Sequence, residues 1–232
     1  MKEWGLFQLN QKLMREVGTQ IISGPFKGMT LTPMTYEEHI GPYLLGTYEM
    51  ELHPWWEHVF LQSFGQIIDV GAKFGYYAVG LAHRFPHAPI VAFDTDWWAR
   101  DAVREMVAAN RAAGVSVQGF CSPAWLKKNL HENALIISDC EGYERELFCT
   151  TEIPTLTSAT MIIETHENFV PGVLADIVTQ FARTHIVHEV SSRSNSPIPE
   201  VRVHSLTEDE MRRASNEVRP HQTYVFLVPR PA

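Results

Sequence analysis

The chain has 232 residues, 45% of them hydrophobic and 20% charged, a composition typical of a soluble globular protein. Its 19 Lys and Arg residues against 27 Asp and Glu residues give a formal net charge of −8, and no basic run suggests a surface for the phosphates of nucleic acid. We therefore expect no nucleic-acid partner, and the length fits one α/β domain with an N-terminal elaboration.

Three cysteines, Cys121, Cys140 and Cys149, form no Cys-x-x-Cys pair, so the sequence predicts neither a disulfide framework nor a zinc site. The first residues carry charges throughout and lack the apolar stretch of a secretory signal. No later segment is apolar enough to cross a bilayer. We therefore expect a cytoplasmic protein with no membrane partner.

The N-terminal part, residues 1–63, is interrupted by many Gly and Pro residues, and we expect it to form a cap or lid. It ends in a helix that starts at Pro54 and carries its apolar residues on one face. Packing in the core or in an interface is expected for two pairs of tryptophans, Trp55 with Trp56 and Trp97 with Trp98.

From Gln66 onward, short apolar runs alternate with helical stretches, which is typical of a sheet with parallel strands and crossover helices. The predicted strands are 67–70, 90–93, 115–119, 135–138 and 161–164. The predicted helices are 76–85, 97–113, 123–130, 143–149 and 173–183, with Gly114 as the left-handed residue that ends the second one. Five such units indicate a doubly wound, Rossmann-like sheet.

The end of the chain departs from this alternation, with a strand at 186–190, a short helix after Thr207 and a closing strand at 223–228. Thr207 and Glu210 form a capping-box pattern, in which the hydroxyl and the carboxylate each satisfy a free backbone donor. Because no full crossover helix joins the two strands, we expect them to pair antiparallel at the sheet edge. The sequence thus predicts a seven-stranded domain at 64–232 with an antiparallel last strand.

The carboxyl ends of the strands are where doubly wound sheets bind ligands. At the first end, IIDVGAKFGYY places Asp69 at the strand tip and Gly71 and Gly75 around a tight turn before a helix that starts at about Tyr76. Glycines let a ligand approach the backbone, and the helix start offers N–H groups to an anion. Asp69 is expected to accept from an ammonium or from backbone amides.

The second strand end, VAFDTD, places Asp94 where an acid in such folds hydrogen-bonds ribose hydroxyls. Asp96 fits a cap for the following helix better than a ligand role. The turn Asp-x-Gly-x-x-x-Gly lacks the Gly-x-Gly-x-x-Gly spacing of dinucleotide sites. The acid two residues before the first glycine of this turn and the predicted antiparallel last strand of the sheet both favour S-adenosylmethionine over NAD.

Four segments, IIDVGAKFGYYAVGLAHRF, VAFDTD, ISDCEGYERELF and MIIETHE, resemble in order and spacing the class I S-adenosylmethionine-dependent methyltransferases, and more closely their FkbM-type group. The resemblance covers about residues 66–189. Lys73 departs from it, because FkbM-type turns often have Asn there, so its side chain is expected to point away or to contact the cofactor carboxylate. The resemblance implies a cofactor site at the turn, a ribose acid and an adenine-side contact: Asp69, Gly71, Ala72, Lys73, Gly75, Tyr76, Asp94, Thr95, Cys121 and Ser122.

The segment SDCEGYE follows the fourth strand, and the resemblance makes its Asp139 and Glu141 a functional acid cluster. Methyl transfer is an in-line displacement in which the enzyme aligns acceptor and methyl group and, for a hydroxyl, removes a proton. Asp139 is the expected base. The alternative has Asp139 capping the next helix and Glu141 paired with Arg145 one helical turn on.

The fifth strand ends in IIETHEN, which brings Glu164, His166, Glu167 and Asn168 to the same edge. His166 is a second candidate base, because an unperturbed imidazole titrates near pH 6.5. With Asp139, these residues also offer donors for a divalent cation such as magnesium that would bind acceptor oxygens. We predict no metal, since no ligand spacing enforces one. A polar loop that covers the sheet edge is the remaining alternative.

Tyr48 and Glu49 lie where a lid over the cofactor would sit, and Tyr48 is predicted as a cofactor contact. The sequence predicts an S-adenosylmethionine-dependent methyltransferase that acts on a small-molecule or glycan hydroxyl. The oxygen preference comes from the resemblance, and the residues alone would allow nitrogen. Two rivals stay open: an NAD-dependent oxidoreductase, and a cofactor-binding module without turnover in which Asp139 and His166 are structural.

Overall fold

The computed structural model describes residues 2–35, 39–192, 198–217, 219 and 221–231, with side chains from residue 5 onward. The helices are α1 Lys2–Val17, α2 Gly41–Leu45, α3 His53–Phe60, α4 Tyr76–Arg84, α5 Trp97–Asn110, α6 Pro123–Asn129, α7 Glu144–Leu147, α8 Val173–Phe181 and α9 Glu208–Ser215. The strands are β1 Gln66–Val70, β2 Ile90–Phe93, β3 Val115–Gln118, β4 Ala134–Ser138, β5 Thr160–Thr165, β6 His185–Ser191 and β7 Thr223–Pro229. Short 3-10 turns occupy Pro33–Thr35, Met50–Leu52 and Pro154–Ser158.

The strands form one seven-stranded sheet in the order β3-β2-β1-β4-β5-β7-β6. The first five are parallel to one another, and β7 is antiparallel to both β5 and β6. This confirms the predicted Rossmann-like sheet with an antiparallel last strand. Because β7 inserts between β5 and β6, the two edge strands of the sheet are β6 and β3.

The central strands are buried on both faces of the sheet, which explains why their sequences are nearly continuous hydrophobic runs. Successive residues alternate between two clusters, as Ile67 and Ile68 do in β1. The first cluster includes Leu13, Trp56 and Val79, from α1, α3 and α4. The second cluster takes in the apolar residues of α6, α7 and α8. The N-terminal helical cap therefore covers one face of the sheet together with α4 and α5.

The chain order changes direction between β1 and β4, since β2 and β3 lie on one side of β1 and β5 lies beyond β4. In open α/β sheets, the crevice at the carboxyl ends of such a pair is the usual ligand site. The fold thus directs attention to the loops after β1 and β4.

Helix α5 ends three residues before the predicted position. Arg111 adopts a left-handed conformation with φ of 51°, and the next backbone N–H, that of Ala112, donates to the carbonyl of Val107. This pattern closes the helix in a Schellman motif. The prediction that Gly114 ends the helix is therefore wrong: Gly114, with φ of 83°, leads into β3.

Helix α9 joins the cap to the end of the chain. Its predicted capping box is confirmed, with the Glu210 N–H 3.2 Å from Thr207 Oγ1 and the Thr207 N–H 2.8 Å from Glu210 Oε2. The same carboxylate pairs with Lys12 of α1 at 2.7 Å.

Whether residues 1–63 form a separate unit stays a prediction. Among the described helices, none combines the length and the apolar character that crossing a bilayer requires.

Candidate functional site

A cleft of about 470 Å³ opens where β1, β2, β3 and β4 end. Its walls come from the turn after β1, the tip of β2, the first turn of α5 and the loops after β3 and β4. The predicted site residues that line it are Tyr48, Gly71, Lys73, Asp94, Thr95, Cys121, Asp139 and Glu141. Residues from distant parts of the sequence thus meet around one cavity.

The turn after β1 holds the ends of three strands together. The backbone N–H groups of Gly71 and Ala72 each donate to the carbonyl of Phe93 at 2.9 Å. Gly71 has a φ of 84°, and a Cβ at this position would lie 1.7 Å from the carbonyl oxygen of Asp139. Only glycine fits, so Gly71 permits the close approach of the β1 and β4 ends.

Asp94 is anchored by backbone donors on both of its oxygens. Oδ2 accepts from the Lys73 N–H and Oδ1 from the Asp96 N–H, each at 2.9 Å. Lys73 has a φ of 48°, a left-handed conformation. Because each carboxylate oxygen accepts about two hydrogen bonds, Asp94 keeps acceptor capacity toward the cleft. Asp96 caps α5 by accepting from the Trp98 N–H, as predicted.

Asp69 lies behind the turn rather than in the cleft. With Ala72 and Tyr76 it lines a separate cavity of about 40 Å³, and it is 2% exposed. Burial raises the pKa of Asp69 to about 7, although the backbone N–H of Ala78 in the first turn of α4 acts in the opposite direction. This carboxyl group therefore accepts a hydrogen bond from the first turn of α4, a helix that lacks a side-chain cap of its own.

Two other predicted cofactor residues also have structural positions outside the lining of the cleft. Gly75 precedes α4 as its N-cap with a φ of 88°, and a Cβ there would lie 3.2 Å from Val103 of α5. Ser122 caps α6, where its Oγ accepts from the Trp125 N–H at 3.1 Å. Both residues therefore stand at the N-terminal ends of helices, α4 and α6.

The acids after β4 and β5 converge on His166. Its Nε2 lies 3.3 Å from Asp139 Oδ1, 3.5 Å from Glu141 Oε2 and 3.9 Å from Glu164 Oε1. On the other side of the ring, Nδ1 lies 2.6 Å from Glu144 Oε1. The side chain of His166 is 1% exposed, so it does not reach the cleft directly. The role of His166 as a base stays a prediction, and the structure places Asp139 between its ring and the cleft.

Burial and the neighbouring carboxylates act in opposite directions on the pKa of His166 and in the same direction on the pKa of Glu164. Burial alone lowers the pKa of His166, but the carboxylates of Asp139 and Glu144 outweigh it and raise that pKa to about 10. Burial raises the pKa of Glu164 to about 9, with Asp139 and Glu49 acting the same way. The cluster is short of positive charge and holds protons that isolated side chains would release.

The alternative interpretation of Glu141 is wrong. Arg145 pairs with Asp176 at 2.6 Å and donates to the Pro171 carbonyl, so it does not pair with Glu141. Glu141 is 70% exposed at the cleft with a φ of 54°. Glu167, by contrast, accepts from the N–H groups of Gly172 and Leu174 and so orders the start of α8.

A second buried acid cluster joins the N-terminal cap to the end of the chain. Arg219 lies 2.5 Å from Glu51, 3.0 Å from Glu217 and 3.4 Å from Glu49. Glu49 also accepts from the hydroxyl groups of Tyr77 and Tyr224. Burial raises the pKa of Glu217 to about 8 and also raises that of Glu49, which the Arg219 charge opposes. A cavity of about 10 Å³ connects Glu49 to Asp139 and Glu164.

The sequence-based prediction missed several residues of the site. Phe120 and Tyr143 stand at the cleft with ring centroids 5.3 Å apart, and Trp98 lines the cleft although it was expected to pack elsewhere. Glu144 lies within the segment ISDCEGYERELF, but its partner follows 22 residues later. Its position among the acids that follow β4 is the one signal in the sequence that could have identified Glu144. Arg219, 170 residues from Glu49, gave no such signal.

No protein-family model matches the chain, and no curated protein matches it in sequence. Solved structures, by contrast, match the chain in three-dimensional structure. The precorrin-6y C5,15-methyltransferase of Geobacter metallireducens is 12% identical, with a TM-score of 0.51 over 75% of this chain and 87% of that one. An rRNA methylase of Streptococcus thermophilus is 12% identical, with a TM-score of 0.51 over 78% of this chain and 97% of that one.

At this level of identity the likeness establishes the fold. The chain has the Rossmann-like fold of class I methyltransferases, with the cleft at the strand ends where that fold binds its ligand. What the cleft holds, and what the acids beside it do, depends on its own residues.

Proposed function

We propose that this protein is an S-adenosylmethionine-dependent methyltransferase of the FkbM type that methylates a hydroxyl of a small molecule or glycan. The observation that carries the proposal is the position of Asp139. It lines the main cleft and also both smaller cavities, those of about 40 and 10 Å³. A carboxylate therefore stands where a cofactor cleft meets an acid-lined pocket.

The cleft fits the cofactor in size and in chemistry. Its volume of about 470 Å³ is within the range of small-ligand sites. Asp94 is set to accept from ribose hydroxyls, and the rings of Phe120 and Tyr143 offer a surface for the adenine beside Cys121. The acids near Asp139 complement the positive sulfonium.

Asp139 has the position to assist the reaction. In the transfer, the bond between the methyl carbon and sulfur breaks as the bond from the acceptor oxygen to that carbon forms, and sulfur leaves as a neutral thioether. The acceptor proton passes to Asp139. His166, held by Glu144, orients Oδ1 of this carboxylate from behind and stabilises its charge.

Charge supports a small acceptor. The net charge of −8 and the exposed Glu141 at the cleft oppose a polyanionic substrate such as nucleic acid. We propose neither a nucleic-acid nor a membrane partner. The free state of Cys121, Cys140 and Cys149 fits the reducing cytoplasm that we propose as its location.

The proposal is tested with methyl-labelled S-adenosylmethionine and a panel of hydroxyl-bearing metabolites and glycans. We expect label transfer by the wild type and loss of transfer in Asp139→Asn, with cofactor affinity retained. The matched control is Asp101→Asn, which removes one exposed carboxylate on α5. Equal rates in Asp139→Asn and wild type would show that Asp139 is structural.

A further inference from the structure

We propose that Asp139, Glu164 and His166 form a binding site for one divalent cation in the buried acid cluster next to the cleft. The three residues follow or end neighbouring strands, β4 and β5. One ligand atom from each lies within 4.8 Å of the others. Carboxylate oxygens suit Mn²⁺ and an imidazole nitrogen suits first-row transition metals in general, so Mn²⁺ serves as the probe ion.

The strongest support is the orientation of His166. Glu144 is fully buried, and its Oε1 lies 2.6 Å from Nδ1 of the imidazole. This contact keeps a proton on Nδ1, so Nε2, which faces Asp139 and Glu164, is the ring nitrogen that would give up its proton to bind a cation. Metal-binding histidines commonly donate their other ring N–H to a carboxylate in this way.

Two buried atoms of this group lack hydrogen-bond partners. Nε2 of His166, on a side chain that is 1% exposed, makes no hydrogen bond, and neither does Oδ1 of Asp139, which lies 3.3 Å away. Buried polar groups are almost always satisfied, so an unsatisfied pair that faces one point needs an explanation. A cation between the two atoms would satisfy both.

The spacing fits an ion with little adjustment. Ligands about 2.1 Å from an octahedral ion are about 3 Å apart when adjacent and about 4 Å apart when opposite. Nε2 of His166 lies 3.3 Å from Asp139 Oδ1 and 3.9 Å from Glu164 Oε1. Small side-chain rotations would bring all three donors to one ion.

Charge and access favour the same conclusion. Four carboxyl groups, of Asp139, Glu141, Glu144 and Glu164, surround a single imidazole. Packing this many acids together is costly unless positive charge is added. Asp139 and Glu141 line the cleft, so an ion has a path from solvent.

The use of this ion in catalysis rests on the proposed function. A cation here would bind the acceptor hydroxyl and lower its pKa, which would make the oxygen a better nucleophile. The binding site itself depends on neither the cofactor nor the acceptor, so it is tested without them.

The test is a titration of the EDTA-treated, desalted full chain with Mn²⁺, in which electron paramagnetic resonance measures the free ion. We expect one ion per chain. Glu164→Gln and Asp139→Asn should each weaken binding at least about tenfold, and Glu144→Gln by about 10–100-fold, because it orients the histidine. Asp101→Asn, which removes an exposed acid of α5, should bind Mn²⁺ as the wild type does.

The wild type alone already decides the question if a variant does not fold. In the wild type, Mn²⁺ should selectively broaden the ¹⁵N resonances of His166. Absence of Mn²⁺ binding, binding without broadening at His166, or equal binding by folded Glu164→Gln would overturn the proposal. A parallel titration with S-adenosylmethionine reports separately on the cofactor cleft, so failure of one claim does not imply failure of the other.

Discussion

Nδ1 of His166 lies 2.6 Å from Oε1 of Glu144, and both side chains are buried. The contact joins the end of β5 to the start of α7, and so links the two loops that carry the acids of the site. Through this pair, the interior of the protein fixes the direction in which the imidazole faces Asp139. Glu144 is thus a positioning residue for the whole acid cluster.

Removing Glu144 should therefore destabilise the fold. We expect Glu144→Ala to lower the free energy of unfolding by about 3–5 kcal/mol, the usual cost of removing one partner from a buried charged pair. Glu144→Gln should cost less, since its amide oxygen still accepts from Nδ1–H. Urea denaturation followed by circular dichroism measures both values. An alanine variant as stable as the wild type would argue against the pairing.

Gly71 should tolerate no side chain. Its φ of 84° already disfavours alanine, and the new Cβ would collide with the carbonyl of Asp139. Gly18 makes a matched control, because it has a φ of 71° but no atom within 4 Å of the point where a Cβ would lie. We expect Gly18→Ala to cost roughly 1–2 kcal/mol.

Gly71→Ala should cost clearly more than that control and should also weaken S-adenosylmethionine binding, because the ends of β1 and β4 must separate. Unfolding free energies and cofactor titrations of the two variants supply the comparison. Similar values for both would mean that the close approach of the strands is unimportant.

Asp94 should determine cofactor affinity. Asp94→Asn can accept from only one of the two backbone donors, those of Lys73 and Asp96, and it loses the charge that strengthens a bond to a ribose hydroxyl. We expect S-adenosylmethionine to bind about 10–100-fold more weakly, in line with about 1.5–3 kcal/mol for a hydrogen bond to a charged group. Isothermal titration calorimetry measures the change. Unaltered affinity would remove Asp94 from the cofactor site.

The burial of Asp69 should make stability depend on pH. Its pKa is about 7 in the folded protein against 3.8 without the fold, and Asp139, Asp94 and Glu49 all act to raise it. Between these values the folded state holds a proton that the unfolded chain has lost. Stability from this group is therefore complete below about pH 4, falls as the pH rises and levels off above about pH 7.

Asp69→Asn removes this dependence. We expect the difference in unfolding free energy between wild type and variant to change by at most about 4 kcal/mol from about pH 4 to about pH 7.5, in favour of the variant at the higher pH. Other acids titrate in both proteins and cancel in the comparison. A constant difference across the range would mean that Asp69 is ionised in the folded state.

Much of the fold could be predicted because its strands are buried on both faces. Runs such as IIDV and LIIS contain no polar interruption except at the tips, and the tips are where the site lies. Helix ends were less predictable. Both Arg111 and Gly114 are left-handed, and composition alone favours the glycine, whereas the hydrogen bonds of Arg111 and Ala112 end the helix earlier.

The site was predictable only in part, for reasons of distance along the chain. Residues at strand tips, such as Asp94 and Asp139, follow from the strand pattern itself. Contacts between side chains do not: Glu144 reaches His166 only because β4 and β5 are neighbours in the sheet. The cluster around Arg219 depends on how the cap folds back over the end of the chain, which no local pattern indicates.

The central claim, that the cleft at the strand ends binds S-adenosylmethionine, is tested most directly by calorimetric titration of the wild type with S-adenosylmethionine, S-adenosylhomocysteine and NAD. We expect both sulfur ligands to bind with one site per chain and NAD to show no binding. Binding of NAD but of neither sulfur ligand would contradict the account and favour an oxidoreductase.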